Sequence, residues 1–311
     1  MTTASNYCIL AATILISIIT LGVNTITIFT AATKKALDRP SHKFILGLAV
    51  SDWMMGLFLP ADIIYKLLYE DYYKKDTYSK YFCHCFLPIF FVLISCTSSN
   101  IMQLVIAFDR CTSVMKPVLH QNLLTKRISN RVVCAVFLFS TAVSFLPMYW
   151  NNFPNERISK SCTLLTLTLE YYSYVIVPVF VVNLVCLVFV YLQVYKVAAR
   201  RLRDNAKTLK MVAVILTCHV VCWSPHMVCR FFLLSDALPD ENNQDNSDYE
   251  NPNIFLIYDC LLLLALSSSF LNALLYSWRT PDFKKAIKEI IYCRKQNYPL
   301  ERDVASTNIH S

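Results

Sequence analysis

Seven stretches of this chain, near residues 8–33, 43–68, 85–114, 132–150, 171–197, 211–235 and 254–278, are apolar over a length that can cross a bilayer. About 20 apolar residues suffice for roughly 30 Å of hydrocarbon. Lipid offers no hydrogen-bond partners, so each run must satisfy its own backbone and is predicted to be a helix. The chain is 56% hydrophobic, too little polar surface for a soluble domain of 311 residues. The expected fold is an all-α membrane protein built as a seven-transmembrane helix bundle. Seven crossings put the two termini on opposite sides.

Lys and Arg set the orientation. The segments 34–43, 110–131, 196–210 and 279–302 hold 22 of the 29 basic residues, so that side is expected to be cytoplasmic and the N-terminus extracellular. The net charge of +8 then reports topology and attraction to anionic lipid, and a nucleic-acid partner is not expected. The predicted division is 1–7 outside, 8–278 for the bundle in the plasma membrane, 279–293 for an amphipathic helix on the membrane surface, and 294–311 for a cytoplasmic tail. In that helix Phe283, Ala286, Ile287, Ile290 and Ile291 share one face, with lysines on the other. No cleavable signal peptide is expected. The first apolar run is too long for one and reads as an anchor with its N-terminus outside.

Most of the thirteen cysteines lie inside spans, where a thiol behaves as a small apolar group. Cys85 opens the third run and Cys162 follows the fourth. Both face the oxidising side and are expected to pair, with Cys83 a rival for the same partner. Cys293 is a candidate for palmitoylation or a plain thiol. The outer loop 236–253 is acidic and lacks an apolar period; it reads as a solvated loop or as a funnel for a basic ligand.

Polar residues inside the spans carry the mechanism, because an ionisable group in hydrocarbon is costly without a partner. Cys85 and Arg110 lie 25 residues apart, about 37 Å of helix, so one sits at the outer face and the other at the inner. Asp109 is expected to hold the Arg110 guanidinium by a charge-assisted bond. Asp52 lies in the middle of the second run. Ser95 and Ser99 are one turn apart on the third, as are Ser269 and Asn272 on the seventh. Trp223 precedes Pro225, whose missing N–H kinks the sixth span.

Taken once per span and in order, several strings resemble the motifs of rhodopsin-like (class A) G-protein-coupled receptors over nearly the whole chain. They are Asn24, Leu48-Ala49-Val50-Ser51-Asp52, Cys85 with Asp109-Arg110, Cys222-Trp223-Ser224-Pro225 and Asn272-Ala273-Leu274-Leu275-Tyr276. The resemblance implies a receptor and not an enzyme. The implied receptor senses a small extracellular ligand and opens its cytoplasmic face to a heterotrimeric G protein. Arrestin is a further implied partner, with only Ser306, Thr307 and Ser311 after Cys293 to recruit it. Coupling and activation fall to Asp109, Arg110, Tyr191, Trp223, Pro225, Asn272 and Tyr276. A sodium ion, the one implied cofactor, falls to Asp52, Ser99, Ser269 and Asn272, with a water-filled polar network as the alternative.

The departures from the family pattern are specific. Cys111 stands for the third motif tyrosine, Ala273 for the seventh-span proline and Phe137 for the fourth-span tryptophan. The apolar trio below the ligand pocket maps onto Asn100, Asn183 and His219, which are expected to bond one another as a switch between helices. Asn205 replaces the acid that clamps the arginine from the sixth span, so raised basal activity is expected.

The ligand pocket is expected among Asp62, Val92, Leu93, Cys96, Glu170, His226, Met227, Arg230 and Asp259. Val92 occupies the aminergic aspartate's position, and residues 254–278 contain no Lys for a retinal Schiff base. Span ends such as Leu146-Pro147-Met148-Tyr149-Trp150-Asn151-Asn152 look most like adenosine receptors, yet Arg230 and Ala265-Leu266 replace the purine-reading residues. The alternatives are a diverged receptor for a lipid or peptide, or one with constitutive activity. Arg230 snorkels to the surface, meets an anionic or carbonyl-bearing ligand, or pairs with Asp62 or Asp259 near the same mouth. A transporter would show inverted repeats and broken mid-membrane helices, and neither is visible.

Overall fold

The computed structural model describes residues 3–34, 37–68, 87–150, 169–200, 206–236, 252–279 and 281–291. Regular structure among them is helical: α1 (Thr3–Thr33), α2 (Pro40–Leu68), α3 (Leu87–Met115), a short α4 (Pro117–Leu123) and α5 (Lys126–Trp150). Then follow α6 (Val177–Arg200), α7 (Ala206–Asp236), α8 (Pro252–Arg279) and α9 (Pro281–Ile291). Four of these helices open on proline, whose fixed φ suits a first turn that has no use for its missing N–H. Among the described residues, stretches of α1, α2, α3, α5, α6 and α8 are long and apolar enough to cross a membrane. α7 is 31 residues long, packs between α6 and α8, and takes the place of the sixth span.

The helices close into a bundle. α1 lies between α2 and α8, α2 also touches α5, and α3 runs through the centre against α2, α5 and α6. Three threonines of α1 are accommodated locally: the Thr13, Thr27 and Thr30 hydroxyls donate to carbonyls four residues back. Gly56 sets the approach of α1 to α2. A Cβ there would stand 3.3 Å from the Leu21 nitrogen and the Ser17 carbonyl oxygen. A π-helical turn, Tyr172–Ile176, leads into α6 just before Pro178, which cannot donate into the preceding turn. α8 runs unbroken through Ala273, as the loss of its proline predicts.

α9 is the short helix expected after the last span, and part of its apolar face packs on the bundle. Its Phe283 and Ala286 are fully buried with Leu37, Phe44 and Ile45 of the bundle. Lys34 Nζ meets Glu289 Oε2 at 3.0 Å and Arg39 meets Asp282 at 3.0 Å, pinning the helix to the first connection. Phe283 also stands edge-on to His42, with centroids 5.2 Å apart. The apolar face was legible, and the Leu37 turn covers the part of it that Phe283 and Ala286 form. Nearby, Asp38 bonds both Lys43 and Lys126, and these lysines hold its carboxyl below the ordinary carboxylate range.

Cys85, Cys162, Cys293, Asn205 and the loop 237–251 lie outside the described residues, as do the side chains of Asp62 and Tyr276.

Candidate functional site

At the end of the bundle away from Arg110, α3, α7, α8 and the π turn enclose a cavity of about 80 Å³. Six predicted residues converge on it: Val92, Leu93 and Cys96 from α3, and His226, Met227 and Arg230 from α7. Glu170 and Asp259 do not. Glu170 is exposed ahead of the π turn, and at Asp259 the inward position belongs to its neighbour Tyr258. Tyr172 and Tyr258 are the polar aromatic residues among the lining that sequence reasoning missed. The signal was present, since Tyr258, Leu262 and Leu266 recur at helical spacing and all line the cavity.

Arg230 does not snorkel. It is only 2% exposed, with Nη1 3.4 Å from the Tyr258 hydroxyl. Its guanidinium carbon stands 5.5 Å from the Tyr172 ring centre and 5.8 Å from that of Tyr258. Two aromatic faces thus compensate part of the cost of taking the cation out of water. The Tyr172 hydroxyl donates to the Met227 carbonyl at 3.0 Å, fixing one of those faces against α7.

A ladder of side chains descends from Arg230 along one face of α7. His226 lies 5.1 Å from the Tyr258 ring and 6.4 Å, edge-on, from Trp223. Trp223 Nε1 donates to Ser268 Oγ at 3.1 Å. The next residue, Ser269, hydrogen-bonds Asp52, the fully buried carboxylate at the bundle centre. Ser99 Oγ donates to Asp52 Oδ1 at 2.8 Å and Asn272 Nδ2 to Oδ2 at 3.2 Å. The four predicted residues of the polar centre therefore meet. Asn272 presents a donor nitrogen, which leaves oxygens of Asp52, Ser99 and Ser269 as the groups suited to a hard cation.

The expected bonded switch of Asn100, Asn183 and His219 is not formed. All three are buried, yet Asn100 Oδ1, both amide atoms of Asn183 and both ring nitrogens of His219 lack hydrogen-bond partners among the described residues. The imidazole instead stacks on Phe180 at 5.2 Å with its plane tilted by 19°. Face-to-face packing has displaced polar pairing.

At the opposite end, Asp109 and Arg110 sit side by side but are not hydrogen-bonded. The carboxylate–guanidinium separation is 3.6 Å, and Asp109 Oδ2 and Arg110 Nε have no hydrogen-bond partner among the described residues. The other carboxylate oxygen, Oδ1, accepts from Ser41 Oγ at 3.0 Å and from His120 Nε2 at 2.9 Å. Both partners were missed because they come from other segments, Ser41 from the start of α2 and His120 from α4. Cys111, in the motif tyrosine's place, is buried against Leu187, Val190 and Val194 of α6, and Tyr191 packs on the same cluster.

Comparison with known proteins agrees with this geometry. Residues 23–276 match the family model described as 7 transmembrane receptor (rhodopsin family). The histamine H2 receptor of Cavia porcellus is 26% identical over 305 residues, 90% of this chain and 78% of that one. The human histamine H2 receptor is 25% identical, over 95% of this chain and 85% of its own. The lysophosphatidic acid receptor 3 of Mus musculus is 26% identical, over 90% and 77%. None of these three is an adenosine receptor. With the family's motifs set in a closed helical bundle and the match covering more than half of its length, this chain belongs to the rhodopsin family of seven-transmembrane receptors, a family of receptors rather than enzymes.

Proposed function

We propose that the chain is a G-protein-activating receptor, with the Arg230 end outside and the Arg110 end facing the cytoplasm. Its ligand is small, with an apolar body and an anionic or carbonyl acceptor directed at Arg230. The observation that carries this reading is the charge of the cavity. Arg230 is the one ionised side chain among its described lining residues, and Val92 offers no carboxylate for an ammonium. Among the relatives, the name of one ligand is an amine and of the other an acid. An amine would meet the like charge of Arg230 in a medium of low dielectric, whereas an acid or carbonyl would add an acceptor to the contacts Arg230 already makes. The adenosine likeness of the span ends gains nothing from the lining, which has a guanidinium where a purine site needs neutral hydrogen-bonding groups.

The cavity holds the volume of only two or three waters. An agonist must therefore favour a wider state, and activation is a shift of population toward it. The ladder from Arg230 through His226 and Trp223 to Ser268 gives that shift a route to Asp52. Asp52, Ser99 and Ser269 would hold a sodium ion, supplying a positive charge that offsets the buried carboxylate and favours the resting bundle. Replacing sodium by a bulky organic cation should then raise agonist affinity severalfold in radioligand competition, and unchanged affinity would exclude the ion.

Constitutive activity is favoured by a separate observation: Oδ1 of Asp109 is held by Ser41 and His120, and Arg110 is not hydrogen-bonded to Asp109. The test is cyclic-AMP and calcium signalling in cells expressing the chain, with and without lysophospholipid acids, histamine and adenosine. An Arg110→Ala variant at matched surface expression serves as control. A response to the acids that is lost with Arg110 is the expected result. A response to histamine alone would overturn the ligand assignment, and signalling indifferent to Arg110 would overturn the coupling.

A further inference from the structure

A second cavity opens on the outside of the bundle near Asp109 and Arg110, where α3, α4, α5 and α6 diverge. It measures about 730 Å³ and is walled by Phe108, Leu123, Ile128, Val132, Phe189 and Val190. Phe108, Leu123 and Phe189 are more than half exposed, so the walls face the membrane rather than the protein interior. The groove extends upward to Val105 and Cys186 and downward to Lys116. From Val105 to Lys116 is about 16 Å of helix, most of one leaflet's hydrocarbon depth.

The lower mouth is cationic. Lys116 lines it and is exposed. Arg131 is exposed on α5 between Ile128 and Val132, which line the groove, without lining it itself. Lys196 is exposed two turns beyond Phe189 on α6. The acid at this end, Asp109, is buried and turned toward Ser41 and His120. An apolar trough of this depth ending in exposed cations has the form of an anionic amphiphile in outline.

We propose that this groove is a binding site for an anionic phospholipid of the adjacent leaflet, one acyl chain lying between α3, α5 and α6 and the headgroup held by Lys116, Arg131 and Lys196. The lipid also braces α4, since Leu119, His120 and Leu123 line the same groove. Because His120 bonds Asp109, the occupied groove holds α4 against the residue that neighbours Arg110, and lipid charge tunes coupling. The site's chemistry stands apart from the ligand reading above; only its assignment to the inner leaflet rests on the proposed orientation.

The experiment uses the purified full chain in phosphatidylcholine nanodiscs with a trace of phosphatidylserine carrying a photoreactive group on one acyl chain. Crosslinked peptides are mapped by mass spectrometry. Adducts should concentrate on the peptides bearing Val105–Phe108 and Cys186–Val190, and unlabelled phosphatidylserine should displace them far better than phosphatidylcholine. Reversing two mouth charges, Lys116→Glu with Arg131→Glu, should lower groove labelling about tenfold, given the attraction each basic residue contributes near an anionic surface. Filling the groove with Cys186→Phe should remove its adducts while leaving those elsewhere. Adducts spread evenly around the bundle, equal displacement by phosphatidylcholine, or indifference to all these variants would each overturn the site. The wild-type displacement decides the matter even if a variant fails to fold, and no outcome depends on agonist or G protein.

Discussion

The two cavities of this receptor solve recognition in opposite ways. The one beneath Arg230 has about 80 Å³ and surrounds a buried cation, whereas the groove beside α4 has about 730 Å³ and is walled mainly by apolar side chains, with the exposed Lys116 at one end. Ligand sites usually offer about 300–1,000 Å³. The small cavity is thus a selector, which admits a ligand only by widening and only if its charge suits Arg230. The open groove gains affinity mainly from apolar area, at roughly 25 cal/mol per Å² covered, and reads charge weakly and from outside. Low dielectric amplifies electrostatics in the first and solvent screens it in the second.

The largest effect expected from this contrast is at Arg230. Replacing it with Gln keeps hydrogen-bonding capacity but removes the charge, and breaking a buried charge pair typically costs about 2–5 kcal/mol. An acidic agonist should lose roughly a hundredfold in potency, measured as dose–response at matched surface expression, while ligand-free signalling through Arg110 persists. Unchanged potency would mean that the cavity does not select by charge, and the comparison would fail at its centre.

Salt provides the next separation. Phosphatidylserine labelling of the groove should fall severalfold between 0.05 and about 0.5 M ionic strength, because the Debye length shrinks below about 5 Å at the exposed lysines. Agonist affinity at Arg230 should hardly move over the same range, since its guanidinium is buried between Tyr172 and Tyr258. Equal sensitivity would place both sites in the same dielectric setting.

How much of this was legible in the sequence depended on whether a residue's partner was local. The spans follow from run length, and the need of Asp52 for polar partners follows from the cost of a carboxylate in hydrocarbon, while the choice of Ser99, Ser269 and Asn272 was implied by the family resemblance. The partners of Asp109 were not legible. Ser41 and His120 come from helices that the third span does not specify, and an acid beside an arginine invites the nearest pairing. Arg230 was equally ambiguous, because a long cationic side chain near a span end can point either way. Only the placement of Tyr172, set by the π turn ahead of Pro178, decides it. The groove was invisible because it is made by divergence of four helices, each an ordinary apolar surface when read singly.

The polar layer between the two cavities gives the smallest and most discriminating prediction. Asn183 is 3% exposed, and neither its amide oxygen nor its nitrogen has a hydrogen-bond partner among the described residues. If that amide is an uncompensated burden, Asn183→Leu, nearly isosteric and apolar, should stabilise the resting receptor by about 1–3 kcal/mol, the usual desolvation cost of an unmet polar group. The purified variant would then melt a few degrees higher in detergent. If the amide serves the active state, by bonding His219 once its imidazole leaves Phe180, the same substitution should also lower maximal signalling with agonist potency little changed. A higher melting point with full signalling would make the layer a passive remnant. A lower melting point would show that water already joins Asn183 to Asn100 and His219, so that the resting bundle depends on a hydrated core between the Arg230 cavity and the groove beside α4.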